Sequence, residues 1–191
     1  NAASLRKFSL KREPKGRSKI AFSAHWQGVR LPEDYCYMHI SRPGYTGISS
    51  VGNGWTNVVL VVEGSALTGA KKENPEIFYH RVLMQNHRRS KMLESGERIE
   101  PVRFVESLAF SVKPVPCGGL MLVGDATGFI DPFTGEGIYL SLRSSQLAGE
   151  VIHAGFENSN FSKNFLSVYD QRRQQEFGSK FLLSRVLQWL I

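Results

Sequence analysis

The sequence is poor in cysteine, with only Cys36 and Cys117 among its 191 residues. Two thiols are too few to form a disulfide framework or to hold a cysteine-based metal cluster, so both kinds of structure are excluded. Each lies within or beside a predicted strand, so we expect two buried thiols in a reducing compartment. The five histidines are scattered, and no pair has the spacing that places two metal ligands on one helical face. The sequence therefore predicts no metal site.

Long hydrophobic runs are also missing. No stretch of about 18 apolar residues is present, so no membrane-spanning helix is predicted. A targeting pattern is absent as well, and we expect a cytoplasmic protein. The apolar segment 181–191 is best explained by docking on another part of the protein, and a peripheral membrane contact stays open. Because the sequence starts at Asn1 and ends within that segment, we expect a piece of a longer protein.

Acidic residues are scarce near the N-terminus. The net charge is +7, and residues 1–19 hold seven basic residues against the single acid Glu13. A nucleic-acid surface would interleave basic and aromatic residues on one face, and only Phe8 interleaves here. We therefore expect no nucleic-acid partner and interpret residues 1–18 as a solvated basic linker, with contact to anionic lipid or a cofactor phosphate as the alternative.

Alternation of apolar and polar residues predicts four strands joined by short turns, and hence an antiparallel sheet. The predicted strands cover residues 19–27, 35–40, 45–51 and 55–64. A loop is expected at residues 68–72, followed by one helix that Asn74 caps and that runs to about Glu94. Residues 102–115 are predicted to form one long strand.

The stretch from Gly118 to Ile152 is rich in glycine. Its apolar part ends in Gly-Asp and predicts a buried strand, and a helix is predicted from Glu136 to Ala154. An acid at the C-terminal end of such a strand, here Asp125, is placed to accept hydrogen bonds from ligand hydroxyls. No G-x-G-x-x-G follows this strand, so the usual dinucleotide fingerprint is absent.

The residues alone leave two explanations of this loop open. It is either a tight connection between strand and helix or the binding site of a nucleotide-type ligand. Pro132 stiffens the loop, while Gly135 and Gly137 leave its backbone bare. The helix start suits negative charge on a ligand. Glu136 in the first turn needs no catalytic role, because the helix dipole alone favours an acid there.

The segment GDATGFIDPFTGEGI at residues 124–138 resembles the second FAD-binding motif of the flavoproteins related to p-hydroxybenzoate hydroxylase. The closest branch is the geranylgeranyl reductase-like oxidoreductases, whose loop typically reads G-D-A-A-G-x-x-x-P-x-x-G-x-G-I. Thr127 replaces the second alanine of that pattern. Residues 44–62 more weakly resemble the family's substrate-domain hairpin, but Gly47 stands where tryptophan is common and Ser49-Ser50 where Phe-Pro is common.

The resemblance implies a fold of the α+β/α/β class. An antiparallel substrate-domain sheet with a helix would be followed by the last strand–loop–helix of an FAD/NAD(P)-binding, Rossmann-like domain. The implied boundaries are a basic linker at 1–18, a substrate domain at 19–112, part of the FAD-binding domain at 113–155 and a helical segment at 156–191. The implied FAD-binding residues are Gly124, Asp125, Ala126, Pro132, Gly135, Glu136, Gly137 and Ile138.

The resemblance also implies an FAD-dependent oxidoreductase that acts on a small apolar or aromatic substrate, with NAD(P)H as one candidate electron donor. His25, Trp26, Tyr37 and Tyr45 are candidates for the substrate pocket, although core packing also explains such aromatics. A flavin-dependent monooxygenase or halogenase is the alternative enzyme, and a non-catalytic domain with a decayed flavin site is the alternative of another class. We expect this segment alone to be inactive, with an incomplete flavin site.

Overall fold

The computed structural model describes residues 9–12, 19–32, 34–64, 66–106, 108, 110–129 and 132–190, without the side chains of 67, 70, 185 and 188–190. Most of the predicted basic linker therefore lies outside the described residues. The chain divides into two compact units. Lys15–Leu108 forms the first, and Ala109–Leu190 with Asn1–Pro14 forms the second.

The described chain contains eight strands and five α-helices. The strands are β1 (Lys11–Arg12), β2 (Lys19–Gln27), β3 (Cys36–Ser41), β4 (Gly44–Gly52), β5 (Trp55–Glu63), β6 (Glu97–Arg98), β7 (Arg103–Glu106) and β8 (Ser111–Val112). The helices are α1 (Ala66–Lys72), α2 (Pro75–Gln85), α3 (His87–Leu93), α4 (Gly137–Glu157) and α5 (Lys163–Leu190).

The first unit is an antiparallel sheet in the order β3-β4-β5-β2-β6, with β7 also paired to β2. The prediction of four sheet strands is confirmed, with ends that differ by one residue at most. Alternation along β2 buries every second side chain on one face, which helices α2 and α3 cover. The core consists of Ile20, Phe22, Ala24, Trp26, Ile48, Val58, Leu60, Val62, Phe78, Tyr79, Val82, Leu83 and Leu93.

The prediction of one helix from Asn74 to Glu94 is wrong, because the helix is interrupted at Asn86. Asn86 has extended backbone angles of φ −94° and ψ 117°, and its side chain accepts a hydrogen bond from the Arg89 N–H at 3.1 Å. It thus ends α2 and caps α3. The predicted loop at 68–72 is also wrong, because these residues form most of α1.

Arg89 fixes this interrupted helix to the sheet. It is 1% exposed, and its guanidinium donates to the carbonyl oxygens of Val82 and Leu83, the latter at 2.7 Å. These carbonyls lie in the last turn of α2, where no intrahelical donor exists. The same guanidinium donates to Thr46 Oγ1 on β4 at 2.9 Å and to Ser41 Oγ on β3 at 3.5 Å. Burial lowers the pKa of Arg89.

The second unit is built on the antiparallel pair α4 and α5. Leu147, Ala148, Val151, Leu166 and Tyr169 form its core. Three ion pairs set the register of the two helices: Lys180 with Glu136 at 3.5 Å, Arg143 with Glu176 at 3.1 Å and Arg172 with Glu150 at 3.0 Å.

Two strand predictions in this part of the chain are wrong. The single strand at 102–115 is two short strands, because β7 pairs with β2 in the first unit and β8 pairs with β1 in the second. The apolar run that ends at Asp125 has extended backbone at Val123 but forms no ladder with any described residue. A parallel strand needs neighbouring strands for its hydrogen bonds, and neither of the two described strands of this unit, β1 and β8, pairs with the run.

The prediction of two buried thiols is also wrong, since Cys36 and Cys117 are both exposed. Cys36 lies on the open face of the edge strand β3, and Cys117 lies in an irregular segment. In the part of the chain that the structure describes, no helix is long and apolar enough to cross a membrane.

Replacement of Arg89 by methionine is expected to lower the free energy of unfolding by about 2–5 kcal/mol, because it leaves buried carbonyls and a buried hydroxyl without a donor. The matched control is Arg88→Met, since Arg88 is the exposed neighbour on the same helix. Denaturant unfolding of the full-length variants measures both. Equal effects of the two substitutions would contradict the anchoring role of Arg89.

Candidate functional site

The glycine-rich loop is held against α4 at Gly124. This residue has φ +57°, and its N–H donates to Ser144 Oγ on α4 at 3.0 Å. A Cβ added at Gly124 would lie only 2.9 Å from Ser141 Oγ. Glycine is therefore required twice here, by the backbone angle and by the close approach. Ser144 is buried, so small residues on this face of α4 allow the contact.

The turn that begins at Gly124 leaves the Asp125 side chain exposed. Residues Gly124–Thr127 form a 3-10 turn, in which Thr127 Oγ1 donates to the Gly124 carbonyl at 2.8 Å. The Asp125 side chain is exposed, and its carboxylate has no hydrogen-bond or ion-pair partner in the described chain. Its acceptor oxygens are therefore open to a ligand.

A short antiparallel bridge fixes the far side of this turn. The N–H of Phe129 donates to the Phe110 carbonyl at 3.0 Å, and the N–H of Phe110 donates back at 2.9 Å. Gly128 between the turn and the bridge has φ +120°, an angle that favours glycine. The loop is thus held by α4 at one end and by residue 110 at the other.

The second half of the loop exposes its backbone. Pro132–Thr134 form another 3-10 turn, and the N–H of Gly135 donates to the Pro132 carbonyl at 3.0 Å. Gly135 has φ +68°, and a Cβ at Gly135 or at Gly137 would meet nothing within 4 Å. Space for a ligand therefore lies directly against this backbone.

Helix α4 starts at Gly137 without a side-chain cap. Glu136 occupies the cap position, but its carboxylate lies near Lys180 Nζ of α5, at 3.5 Å. The first N–H groups of a helix have no intrahelical acceptor, so they stay available and carry a partial positive charge. Ile138 beside them is 78% exposed.

These elements surround a cavity of about 220 Å³. Gly124, Asp125, Pro132, Gly135, Glu136, Gly137 and Ile138 all line it, so seven of the eight predicted FAD-binding residues lie together. Phe177 and Phe181 of α5 close it from the other side. These two phenylalanines were not predicted as site residues, although their i, i+4 spacing on a helix places them on a shared face.

The four predicted pocket residues of the first unit do not lie together. Trp26 and Tyr37 point to the helix-covered face, where Trp26 Nε1 donates to the Tyr79 hydroxyl at 3.1 Å. His25 and Tyr45 point to the opposite face. The sheet therefore separates the four into two pairs.

Glu100, which the sequence patterns did not single out, binds His25. His25 Nδ1 lies 2.7 Å from Glu100 Oε1, and the His25 N–H donates to the same oxygen at 3.1 Å. The pKa of Glu100 is lowered, because hydrogen bonds from His25 outweigh the effect of desolvation. Glu100 lies between β6 and β7, where no strand backbone pairs with the His25 N–H. The Glu100 carboxylate accepts this hydrogen bond in place of a backbone carbonyl.

No family model matches the sequence. Digeranylgeranylglycerophospholipid reductase 2 of Methanopyrus kandleri is 32% identical over 168 residues, which cover 81% of this chain and 39% of that protein. Digeranylgeranylglycerophospholipid reductase 1 of Methanococcoides burtonii is 29% identical over 157 residues, 80% of this chain and 36% of that protein. Conditioned medium factor receptor 1 of Dictyostelium discoideum is 27% identical over 177 residues, 92% of this chain and 34% of that protein.

The fold is similar to that of solved flavoproteins. A triple mutant of the flavin-dependent brominase Bmp2 superposes with a TM-score of 0.83 at 16% identity, over 97% of this chain and 48% of that one.

The chain spans between a third and two fifths of the length of the two reductases and of the conditioned medium factor receptor. The resemblance to geranylgeranyl reductase-like flavoproteins, stated from the loop at 124–138, is confirmed by the two reductases.

Gly124→Ala is expected to destabilise the second unit by about 1–3 kcal/mol, because alanine is strained at positive φ and its Cβ would contact Ser141. Gly149→Ala on helix α4 is the control, since a Cβ there meets nothing within 4 Å and alanine favours a helix by about 0.5–1 kcal/mol. Thermal unfolding should separate the two variants in opposite directions. A Gly124→Ala variant as stable as wild type would show that the loop does not depend on this contact.

Proposed function

We propose that the full-length protein is an FAD-dependent oxidoreductase of the geranylgeranyl reductase-like kind, with residues 124–138 as part of its flavin site. The observation that carries the proposal is the open loop backbone that leads from an unpartnered acid, Asp125, to the uncapped start of α4. The similarity to two digeranylgeranylglycerophospholipid reductases supports it.

The residues present fit FAD. The Asp125 carboxylate is exposed and can accept hydrogen bonds from the ribityl hydroxyl groups. Gly135 and Gly137 offer bare backbone with free space beside it, which a flat ring needs for close approach. Gly124 and Pro132 shape the two turns on either side of this space.

The start of α4 adds electrostatic stabilisation. Its partial positive charge stabilises negative charge on a ligand by about 0.3–1 kcal/mol, and by more where the site is buried. Because Lys180 pairs with Glu136, its positive charge offsets the negative charge of that carboxylate. Electrostatic repulsion between Glu136 and a bound anion is therefore weaker. FAD, when bound, supplies the hydride chemistry. The chain's own residues orient the cofactor and favour its more negative form.

We assign the parts of the chain accordingly. The second unit, from Ala109 to residue 155, is the C-terminal part of a Rossmann-like FAD-binding domain, and residues 156–191 are a helical segment that follows it. The substrate domain is the first unit, Lys15–Leu108, which ends four residues before the boundary of 112 predicted from the sequence. The apolar run at residues 120–123, which is extended at Val123 and lacks a ladder partner among described residues, supports a place in a larger sheet.

The substrate we propose is apolar, in keeping with the lipid in the names of the two reductases. On the sheet face opposite the helices, His25 is half-buried and Tyr45 is buried, so we propose His25 as the substrate-facing residue of this pair. NAD(P)H remains the candidate electron donor.

A flavin-dependent monooxygenase or halogenase is the second candidate, because the solved structures of similar fold include flavin-dependent halogenases. The two activities differ in their use of oxygen. A reductase saturates a C=C bond under anaerobic conditions with reduced flavin, whereas a monooxygenase or halogenase consumes oxygen in each turnover.

Asp125→Ala is expected to lower the FAD content of the purified full-length protein at least about tenfold, because a carboxylate that accepts hydroxyl hydrogen bonds contributes about 1.5–3 kcal/mol. Asp34→Ala is the control, since Asp34 is an exposed acid in a turn of the first unit. The ratio of flavin to protein absorbance measures retention, and circular dichroism checks the fold.

The expected result is a folded, nearly colourless Asp125→Ala variant and an Asp34→Ala variant as yellow as wild type. Retention of wild-type flavin content by Asp125→Ala would remove Asp125 from the site.

A further inference from the structure

Glu136 places a carboxylate on the wall of the cavity assigned to FAD. It lines this cavity together with Gly135 and Gly137, the two residues whose bare backbone lies beside free space. Reduction of a bound flavin by two electrons and one proton adds a negative charge to the ring. Like charges repel, so an uncompensated carboxylate on this wall would disfavour the reduced cofactor relative to the oxidised one.

Lys180 of α5 compensates this carboxylate without being among the residues that line the cavity. Its Nζ atom lies 3.5 Å from Glu136 Oε1 and 4.1 Å from the centre of the Tyr139 ring. Glu136 and Tyr139 are three residues apart at the start of α4, so they lie on the same side of the helix. The ammonium group is thus held between a carboxylate and the face of an aromatic ring, both of which attract a cation.

The neighbouring charges leave Lys180 as the counter-charge of Glu136. Glu176 lies one turn before Lys180 on α5, but it pairs with Arg143 at 3.1 Å. It also accepts a hydrogen bond from the Tyr139 hydroxyl at 3.4 Å. The hydrogen bond from Arg143 lowers the pKa of Glu176, so this acid stays ionised and has its own partner. Loss of Lys180 would therefore leave the charge of Glu136 uncompensated.

We propose that Lys180 raises the reduction potential of the bound flavin by neutralising Glu136. The proposal rests on the proposed function, because Glu136 acts on a flavin only when FAD occupies the cavity. Lys180 acts through Glu136, so it is a positioning residue and not a catalytic one. Helix α5, which lies outside the motif at 124–138, thereby helps to set how readily the cofactor is reduced.

The directions of the expected shifts follow from the charges. Lys180→Met removes the positive charge and leaves Glu136 negative, so the midpoint potential should fall. Glu136→Gln removes the negative charge and leaves Lys180 positive, so the midpoint potential should rise. The double variant removes both charges and should return the potential to near the wild-type value.

Arg172→Met is the matched control. Arg172 of α5 pairs with Glu150 of α4 at 3.0 Å, and neither residue is among those that line the cavity. Like Lys180→Met, this substitution removes one positive charge and one ion pair between the same two helices. Any effect of overall charge or of weaker helix packing is therefore present in both variants.

Midpoint potentials of the full-length, FAD-bound protein test the proposal, measured by stepwise anaerobic reduction with dithionite beside a reference dye. We expect Lys180→Met to weaken the binding of reduced relative to oxidised FAD by about three- to tenfold. A tenfold change lowers the two-electron midpoint potential by about 30 mV. Glu136→Gln should shift the ratio by a similar factor in the opposite direction, and Arg172→Met and the double variant should stay within about twofold of wild type.

Two outcomes would overturn the proposal. Lys180→Met could leave the midpoint potential at the wild-type value, or Arg172→Met could shift it as far as Lys180→Met does. Lys180→Gln serves as a second variant if Lys180→Met does not fold, because glutamine removes the charge and can still donate a hydrogen bond to Glu136. Thermal unfolding of every variant separates a loss of stability from a change in potential.

Failure of the flavin assignment is distinguishable from failure of this proposal. A wild-type protein that contains no flavin and takes up none would contradict the FAD site and the role of Lys180 together. Unchanged potentials in variants that still hold FAD would contradict the role of Lys180 alone.

Discussion

The close contact between Gly124 and helix α4 is the constraint on which the candidate site depends. The Gly124 backbone lies so near Ser141 that an added Cβ would be 2.9 Å from the Ser141 Oγ, and the buried Ser144 hydroxyl accepts a hydrogen bond from the Gly124 N–H. This contact fixes where the extended run ends and where the turn begins. It also fixes the position of Asp125 relative to the start of α4. The small residues of α4, which look unremarkable as a helix sequence, are therefore part of the site.

The first unit has its own anchor, the buried Arg89. This guanidinium takes the place of the missing helical donors at the end of α2 and reaches β3 and β4. It holds the helices on one face of the sheet, and the opposite face carries the half-buried His25 and the buried Tyr45. That division separates Trp26 from its neighbour His25, because successive residues of a strand point to opposite faces. A substrate on the face opposite the helices would therefore meet His25 but neither Trp26 nor Tyr37.

The parts of the fold that could be predicted are those set by local patterns. Strands β2 to β5 follow from alternation and from turn residues, and α4 follows from its periodicity. The break at Asn86 is marked locally only by a capping asparagine, whereas the contacts of Arg89 with β3 and β4 depend on tertiary packing. The extended run before Asp125 has the composition of a strand, yet pairing requires neighbours that no local pattern supplies. Seven loop residues of the site were found because they are consecutive or nearly so, whereas Phe177 and Phe181 join the site only through the packing of α5.

The central claim is that residues 124–138 help to bind FAD. Its most direct test is acid extraction of the full-length protein followed by identification of the released flavin. The account predicts about one FAD per chain, or stoichiometric uptake when an empty protein is reconstituted with FAD. A full-length, folded protein that releases no flavin and takes up none would contradict it.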